Sequence, residues 1–447
     1  MNSSILAILL TAVCLFILNF IFSLLGTKEL KFAYQIILAL TTTFAIYLCL
    51  HGRAALIGAC ANIVYLIFKE LKLSKYFLLK AAVLLILAVV VVFFSLKKDS
   101  SYGRILIYKV VFTQLKPNDY ILGLGIGKFK ARYNKLQAAY FEHHDRNSKE
   151  ALLAGNGYYL FNDWLQFALE IGALTVLLIC CFIVSFFKIF NWQPKKKSVL
   201  FAANGALVNI STAALFSYPL QVPAILIFFI TCLFIHIYCS YSIKAAYNYK
   251  YFRGFLYTLT VSLAIISVCY CLLVYQYKSK SKLAFELNRD GFKDEAEVIF
   301  KKLLNYPIAD YNTYYNYAYL LYFKNELNNS LHQINKSLDL AYSAEGVKLK
   351  ADVLFGLNKA SEAEFFYKQA VYITPNRMFP KFNLLQFYIK TKQLNNAKFW
   401  ANDILNMPIK KSSETTNNIL QMTRKILNEI KEKSSFKLEK HNSKSLE

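Results

Sequence analysis

The sequence predicts an all-α protein: a polytopic membrane helix bundle of about eight spans with a long loop on its outer side, followed by a helical-repeat domain. Three observations predict it. Apolar residues up to about position 276 fall into blocks near 20 residues long. Basic and charge-poor loops alternate between those blocks, and from about Lys280 onward amphipathic helices recur at a regular spacing.

A helix needs about 20 apolar residues to cross a hydrocarbon core about 30 Å thick. The blocks at 3–25, 30–50, 54–68, 76–96, 171–190, 199–218, 222–241 and 254–275 are read as spans, 54–68 being the shortest. The first lacks the basic leader and small-residue cleavage site of a signal peptide, and it reads as a retained helix. Of the 447 residues 56% are hydrophobic, an average of an apolar first part and a polar last part, which excludes a single soluble domain.

The formal net charge is +25. Its lysines and arginines gather in the loops 26–31, 69–75, 188–197 and 244–253, which reads as topology signalling and not as nucleic-acid binding. Short basic loops stay cytoplasmic, so both chain ends, the turns at 51–53 and 218–221, the loop 97–170 and everything after 276 are expected outside. All nine cysteines lie in or at the edges of apolar blocks, so neither a disulfide framework nor a metal site is expected.

In the C-terminal part a small residue recurs at Ala296, Ser330, Ala363 and Ala397, spaced 34, 33 and 34 apart. Pro307, Pro375 and Pro408 follow three of these positions by 11 or 12 residues, where one helix pair must end and the next begin. That period is the tetratricopeptide spacing, and it places four repeats in a domain at 277–434, with a disordered tail at 435–447. The small residue lets two helices approach closely, while Phe300, Tyr367 and Trp400 fill the space between neighbours. Such an array suits a protein partner, or serves as a spacer.

The loop 97–170 is too long for a passive connection. It carries a cationic excess, including Arg104, Lys128 and Arg132, on the side where basic residues are disfavoured. Planar guanidinium groups pair with two phosphate oxygens at once, so a lipid-linked diphosphate is the expected ligand. Gly123, Gly125 and Gly127 precede an amphipathic stretch holding Arg132, Tyr133, Gln137, Tyr140 and Phe141, read as a tight turn into a helix lying along the membrane surface. With no preceding strand and no GK[ST], these glycines do not form a nucleotide loop. The run His143-His144-Asp145-Arg146 reads as solvated surface, and His236 as a packed residue.

Over about 52–225 the chain resembles the O-antigen ligase superfamily, which includes O-antigen polymerases and protein O-oligosaccharyltransferases. The resemblance rests on Gly52-Arg53-Ala54-Ala55, Ser101 to Arg104, the glycine turn, Tyr133 with Gln137, Asn162-Asp163-Trp164-Leu165-Gln166, Glu170-Ile171-Gly172 and the run from Tyr218 to Pro223, in that order. It departs from the family at Phe161, where the family has a histidine, and in having two spans before Gly52 where members usually have more.

The resemblance implies a metal-independent transfer without cofactor. A glycan moves from undecaprenyl diphosphate to an acceptor hydroxyl on lipid A core, a glycan or a protein, at the periplasmic face of a bacterial inner membrane. Arg53, Arg104 and Arg132 are the expected diphosphate-binding residues, since fixed guanidinium groups stabilise the charge gathering on the leaving group. Asp163 and Glu170 are the candidate bases. Lys128, Tyr133, Gln137 and Asn162 are expected to line the substrate loop. The reading from a different class is a non-catalytic membrane scaffold whose repeats recruit an envelope complex.

Overall fold

The computed structural model describes residues 3–25, 29–70, 98–146, 148–175, 177–178, 180–181, 197–240, 249–408 and 413–444. Among them every regular element is helical. The fourth expected span at 76–96 lies outside the described residues, as do the end of the fifth and most of the basic loops at 69–75 and 188–197. The chain divides into two compact units.

The first unit comprises Met1–Arg104, Lys116–Ile126 and Tyr159–Tyr275. It holds α1 (Ser3–Leu25), α2 (Glu29–Leu50), α3 (Arg53–Glu70), the first turns of α4 (Lys98–Gln114), α5 (Pro117–Leu122), α7 (Asp163–Ile171), α8 (Lys197–Ala214) and α9 (Pro223–Ser240). Helix α8 packs against both α1 and α3, and small residues make that possible. A Cβ on Gly58 would lie 2.5 Å from the Asn209 carbonyl oxygen, and one on Gly205 would lie 2.4 Å from Asn19 Nδ2. In the space so opened Asn19 donates to Asn62 at 3.4 Å and accepts from Gln35 at 3.2 Å. His236 is half-buried with Nδ1 2.9 Å from Asn204 Oδ1, so its packed place includes a polar partner.

Among the described residues, Ser3–Ser23 is the one helix long and apolar enough to cross a membrane; Gln35–Tyr47, Arg53–Ile67, Ser198–Ala214 and Pro223–Ile237 are shorter apolar helices.

The second unit comprises Ile105–Leu115, Gly127–Tyr158 and Gln276–Glu447. It pairs the end of α10 (Tyr249–Arg289) with α11 (Lys293–Leu304), α12 (Tyr311–Phe323) with α13 (Leu327–Leu340), α14 (Ala344–Gly356) with α15 (Ala360–Ile373), and α16 (Met378–Lys390) with α17 (Leu394–Leu405). Ala296, Ser330, Ala363 and Ala397 are all fully buried, and the Ser330 hydroxyl donates to the Ala318 carbonyl at 2.7 Å. Phe300, Tyr367 and Trp400 are buried too.

A second signal of the same period lies in the turns. Gly291, Asn325, Asn358 and Lys392 each take a positive φ, between 58° and 96°. The next residue's N–H then reaches back to Leu287, Leu321, Leu354 or Tyr388 at 2.9 Å, closing each first helix with a Schellman bond.

Helix α18 (Glu414–Lys444) continues through 435–444, where the sequence predicts a disordered tail; its Lys, Glu and Leu are good helix formers and no glycine or proline interrupts them. The loop 97–170 is also divided differently from the expected boundary at 276. Its central helix α6 (Phe129–His143) belongs to the repeat unit and does not lie along a surface with its apolar face free. Phe129, Tyr133, Ala138, Tyr140 and Phe141 are all buried, and α6 packs on α15.

Candidate functional site

In the first unit two of the expected site residues, Asp163 and Arg104, meet at one turn. Helix α7 begins where the Asn162 side chain accepts the Leu165 N–H at 3.0 Å, a cap that the Asn162-Asp163-Trp164-Leu165 run provides. Asp163, fully buried, follows the cap, and its Oδ2 accepts the Leu220 N–H at 2.7 Å. Arg104 donates through Nη1 to the Phe216 carbonyl at 2.7 Å, so an acid and a guanidinium are tied to opposite ends of the segment Phe216–Leu220. Trp164 Nε1 donates to the Ser211 carbonyl at 3.1 Å and fastens α7 to the end of α8.

Aromatic rings complete the arrangement. The Arg104 guanidinium lies 4.8 Å from the centre of the Phe161 ring, and Phe161 meets Tyr218 edge-on at 5.4 Å. Tyr218 in turn stacks on Tyr159 at 4.0 Å, nearly parallel. Phe161 takes φ of 60°, a conformation costly for a bulky side chain. Position 161 therefore holds an apolar platform beneath a cation.

Burial pushes the Asp163 carboxyl up to about 7, and the nearby Glu170 carboxylate acts in the same direction. The Leu220 N–H and the Gln221 amide partly offset that rise. A carboxyl with this property is poised to take up or give a proton near neutrality. Glu170, the other candidate base, is 2% exposed and accepts from Gln166 Nε2 at 3.1 Å, while Gln166 Oε1 accepts the Leu160 N–H at 3.1 Å. That places Glu170 in a bracing network along α7.

The glycine elements of the sequence meet across a backbone crossing. Leu124 and Gly125 donate N–H bonds to the carbonyls of Leu169 and Glu170, each at 2.9 Å, and Ala173 donates to Ile121 at 3.1 Å. Gly123 and Gly172 both have positive φ, and a Cβ on either would sit within 2.4 Å of a carbonyl oxygen of the other strand of chain. The glycine run is thus a tight turn before α6, as expected, and also a point of close approach.

Arg53 is half-exposed at the first residue of α3. Its neighbours Ala54 and Ala55 share an apolar cluster with Leu220, Trp164, Phe216 and Tyr218.

Lys128, Arg132, Tyr133 and Gln137 belong to the second unit, and the structure does not gather them with Asp163 in one compact body. Lys128 and Arg132 are exposed at the start of α6. Tyr133 and Gln137, expected at a substrate, are fully buried. Tyr133 donates to Gln137 Oε1 at 2.6 Å, and Gln137 Nε2 donates to the carbonyls of Gly155 at 2.9 Å and Ile373 at 2.6 Å. Asn134 donates to the Tyr342 carbonyl at 2.6 Å and accepts the Gly157 N–H at 2.9 Å. Asn156 bonds to Glu345 and to the Ala344 N–H at 2.7 and 3.0 Å. Arg146, read as solvated, lies over Tyr372, Phe399 and Trp400, 4.9 Å from the last ring; His144 stacks on Tyr140 at 3.9 Å.

The residues that sequence reasoning missed are Tyr159, the Leu220 N–H, Asn134 and Asn156. Tyr159 and Phe161, two residues apart, with Tyr218, were a visible aromatic signal. Nothing in the pattern marked the two asparagines.

No family model matches the chain, and no curated protein matches it. Among solved structures, yeast Tom70 is similar over 89% of this chain and 91% of its own at 12% identity, with a TM-score of 0.29. At that score the likeness carries no argument about fold or function.

Proposed function

We propose that the chain is a multi-pass glycosyltransferase of a bacterial inner membrane, moving a glycan from undecaprenyl diphosphate to an acceptor hydroxyl at the periplasmic face. The observation that carries this reading is the pairing of Asp163 and Arg104 on the Phe216–Leu220 segment, the one with its carboxyl raised to about 7 and the other permanently cationic.

In this reading the Asp163 carboxylate accepts the proton of the acceptor hydroxyl as its oxygen bonds to the anomeric carbon. The bond from that carbon to the diphosphate oxygen breaks, and the electron pair leaves with undecaprenyl diphosphate. Arg104, held by Phe161 and the Phe216 carbonyl, stabilises the leaving charge. Arg53 serves the same headgroup. Lipid A core, a second glycan and a protein hydroxyl all meet the chemical requirement for an acceptor, and the repeats are the surface offered to a protein partner.

The test is replacement of Asp163 by Asn and of Arg104 by Ala in the native host, with membrane levels of each variant checked. Accumulated lipid-linked glycan and lost product are expected; an unchanged envelope glycan profile in both would overturn the reading. The scaffold reading draws on one observation, the use of Tyr133 and Gln137 for packing and not for an open site. It expects normal glycans in both variants.

A further inference from the structure

One face of the repeats carries a row of rings. Tyr311, Tyr315, Tyr319 and Phe323 recur every fourth residue along α12, which puts them on one side of the helix, about 6 Å apart along its axis. Tyr315 and Tyr319 stack at 6.3 Å, and Tyr319 meets Phe323 at 4.7 Å. Tyr158, at the end of the loop segment in this unit, extends the row with its ring 5.5 Å from Tyr311. Tyr319 and Phe323 are 40% and 54% exposed, although each is large and apolar.

These two rings line a groove of about 270 Å³ whose other walls come from α14, α15 and α16. The groove offers no free carboxylate, since Asp352 is held by Lys348 and by the Tyr367 hydroxyl, both at 2.6 Å. Lys390 lies above the Phe355 ring. For a ligand there remain ring faces, the exposed Lys390 ammonium and two amides: Gln386, which is exposed, and Asn383, 9% exposed, whose Nδ2 is buried and donates to no group among the described residues.

We infer that this groove binds an oligosaccharide, with successive sugar rings lying on the Tyr319 and Phe323 faces and their hydroxyls meeting Asn383 and Gln386. A pyranose has an apolar C–H face that suits the negative face of an aromatic ring, and hydroxyls around its edge that suit side-chain amides. Side-chain amides also pair with a peptide backbone, so peptides are the competing probe. The inference rests on the glycan-transfer reading for the source of the sugar.

The experiment uses the full chain in a detergent without a sugar headgroup, with chitotetraose and maltotetraose as probes and saturation-transfer NMR and tyrosine fluorescence as readouts. Binding of at least one probe is expected, weakened tenfold or more by Tyr319→Ala and by Phe323→Ala. Asn383→Ala should weaken it less. Phe365→Ala, which removes an equally exposed ring on α15, should leave it unchanged. Thermal unfolding shows that each variant is folded. No binding of either sugar, equal affinity in the ring variants, or preference for members of a random peptide library would overturn the inference. Binding needs no turnover, so the two readings separate: sugar binding together with undiminished glycan transfer by the Asp163→Asn chain would overturn the catalytic reading alone.

Discussion

The two units solve the same packing problem by opposite means. In the repeat unit each device is used four times: a left-handed residue at 291, 325, 358 and 392, a Schellman bond one residue later, and a fully buried small residue five positions on. In the first unit the devices do not recur at a fixed spacing among the described residues: the Gly123–Gly172 crossing, the Asn162 cap and the Phe216–Leu220 segment each differ from the others. Repetition makes a fold readable and tolerant of local loss, whereas single-use contacts concentrate both function and fragility.

The largest expected effect breaks the comparison on the side of function. If Asp163 is the base, transfer should level off above about pH 7 and fall close to tenfold for each pH unit below it, because protonation removes the accepting carboxylate. Initial rates in membranes between pH 5 and 9 measure this, and a flat profile would assign the proton elsewhere.

Next in size is a test of tolerance within the repeats. Lys381 is fully buried with Nζ 2.7 Å from Asp403 Oδ2, so Asp403→Ala leaves a buried cation alone and should cost about 3–5 kcal/mol. Replacing both with apolar residues, Lys381→Met with Asp403→Leu, should recover most of that loss in chemical denaturation.

On the other side of the comparison, Gly172→Ala sets a Cβ 2.3 Å from the Ile121 carbonyl oxygen at positive φ. A loss on the order of 3 kcal/mol is expected, read as a lower melting temperature in detergent. The smallest effect sharpens the pattern: Lys392 alone among the four left-handed turn residues is neither Gly nor Asn, so Lys392→Gly should stabilise by up to about 1 kcal/mol.

This contrast explains what could be read beforehand. The repeats were legible because a small residue and a proline return on schedule; of the apolar blocks, one among the described residues, Ser3–Ser23, forms a helix long and apolar enough to cross a membrane. Asp163 and Arg104 were legible as residue types, through the resemblance. Their common attachment to the Phe216–Leu220 segment was not, since it depends on contacts 57 and 112 residues apart in the chain. Tyr133 and Gln137 misled because an aromatic and an amide on one helix face look the same whether they await a ligand or a neighbouring turn. Only the carbonyls of Gly155 and Ile373 decide between the two.

The bonds from Asn134 to Tyr342 and from Gln137 to Ile373 join parts of the chain more than two hundred residues apart inside one compact unit. Partners in such bonds must occupy the same compartment. Whatever route the chain takes through a bilayer between Tyr158 and Gln276, each crossing must therefore be matched by a return. Any passes in that stretch are even in number, a rule of sidedness that owes nothing to hydropathy or to the placement of lysines.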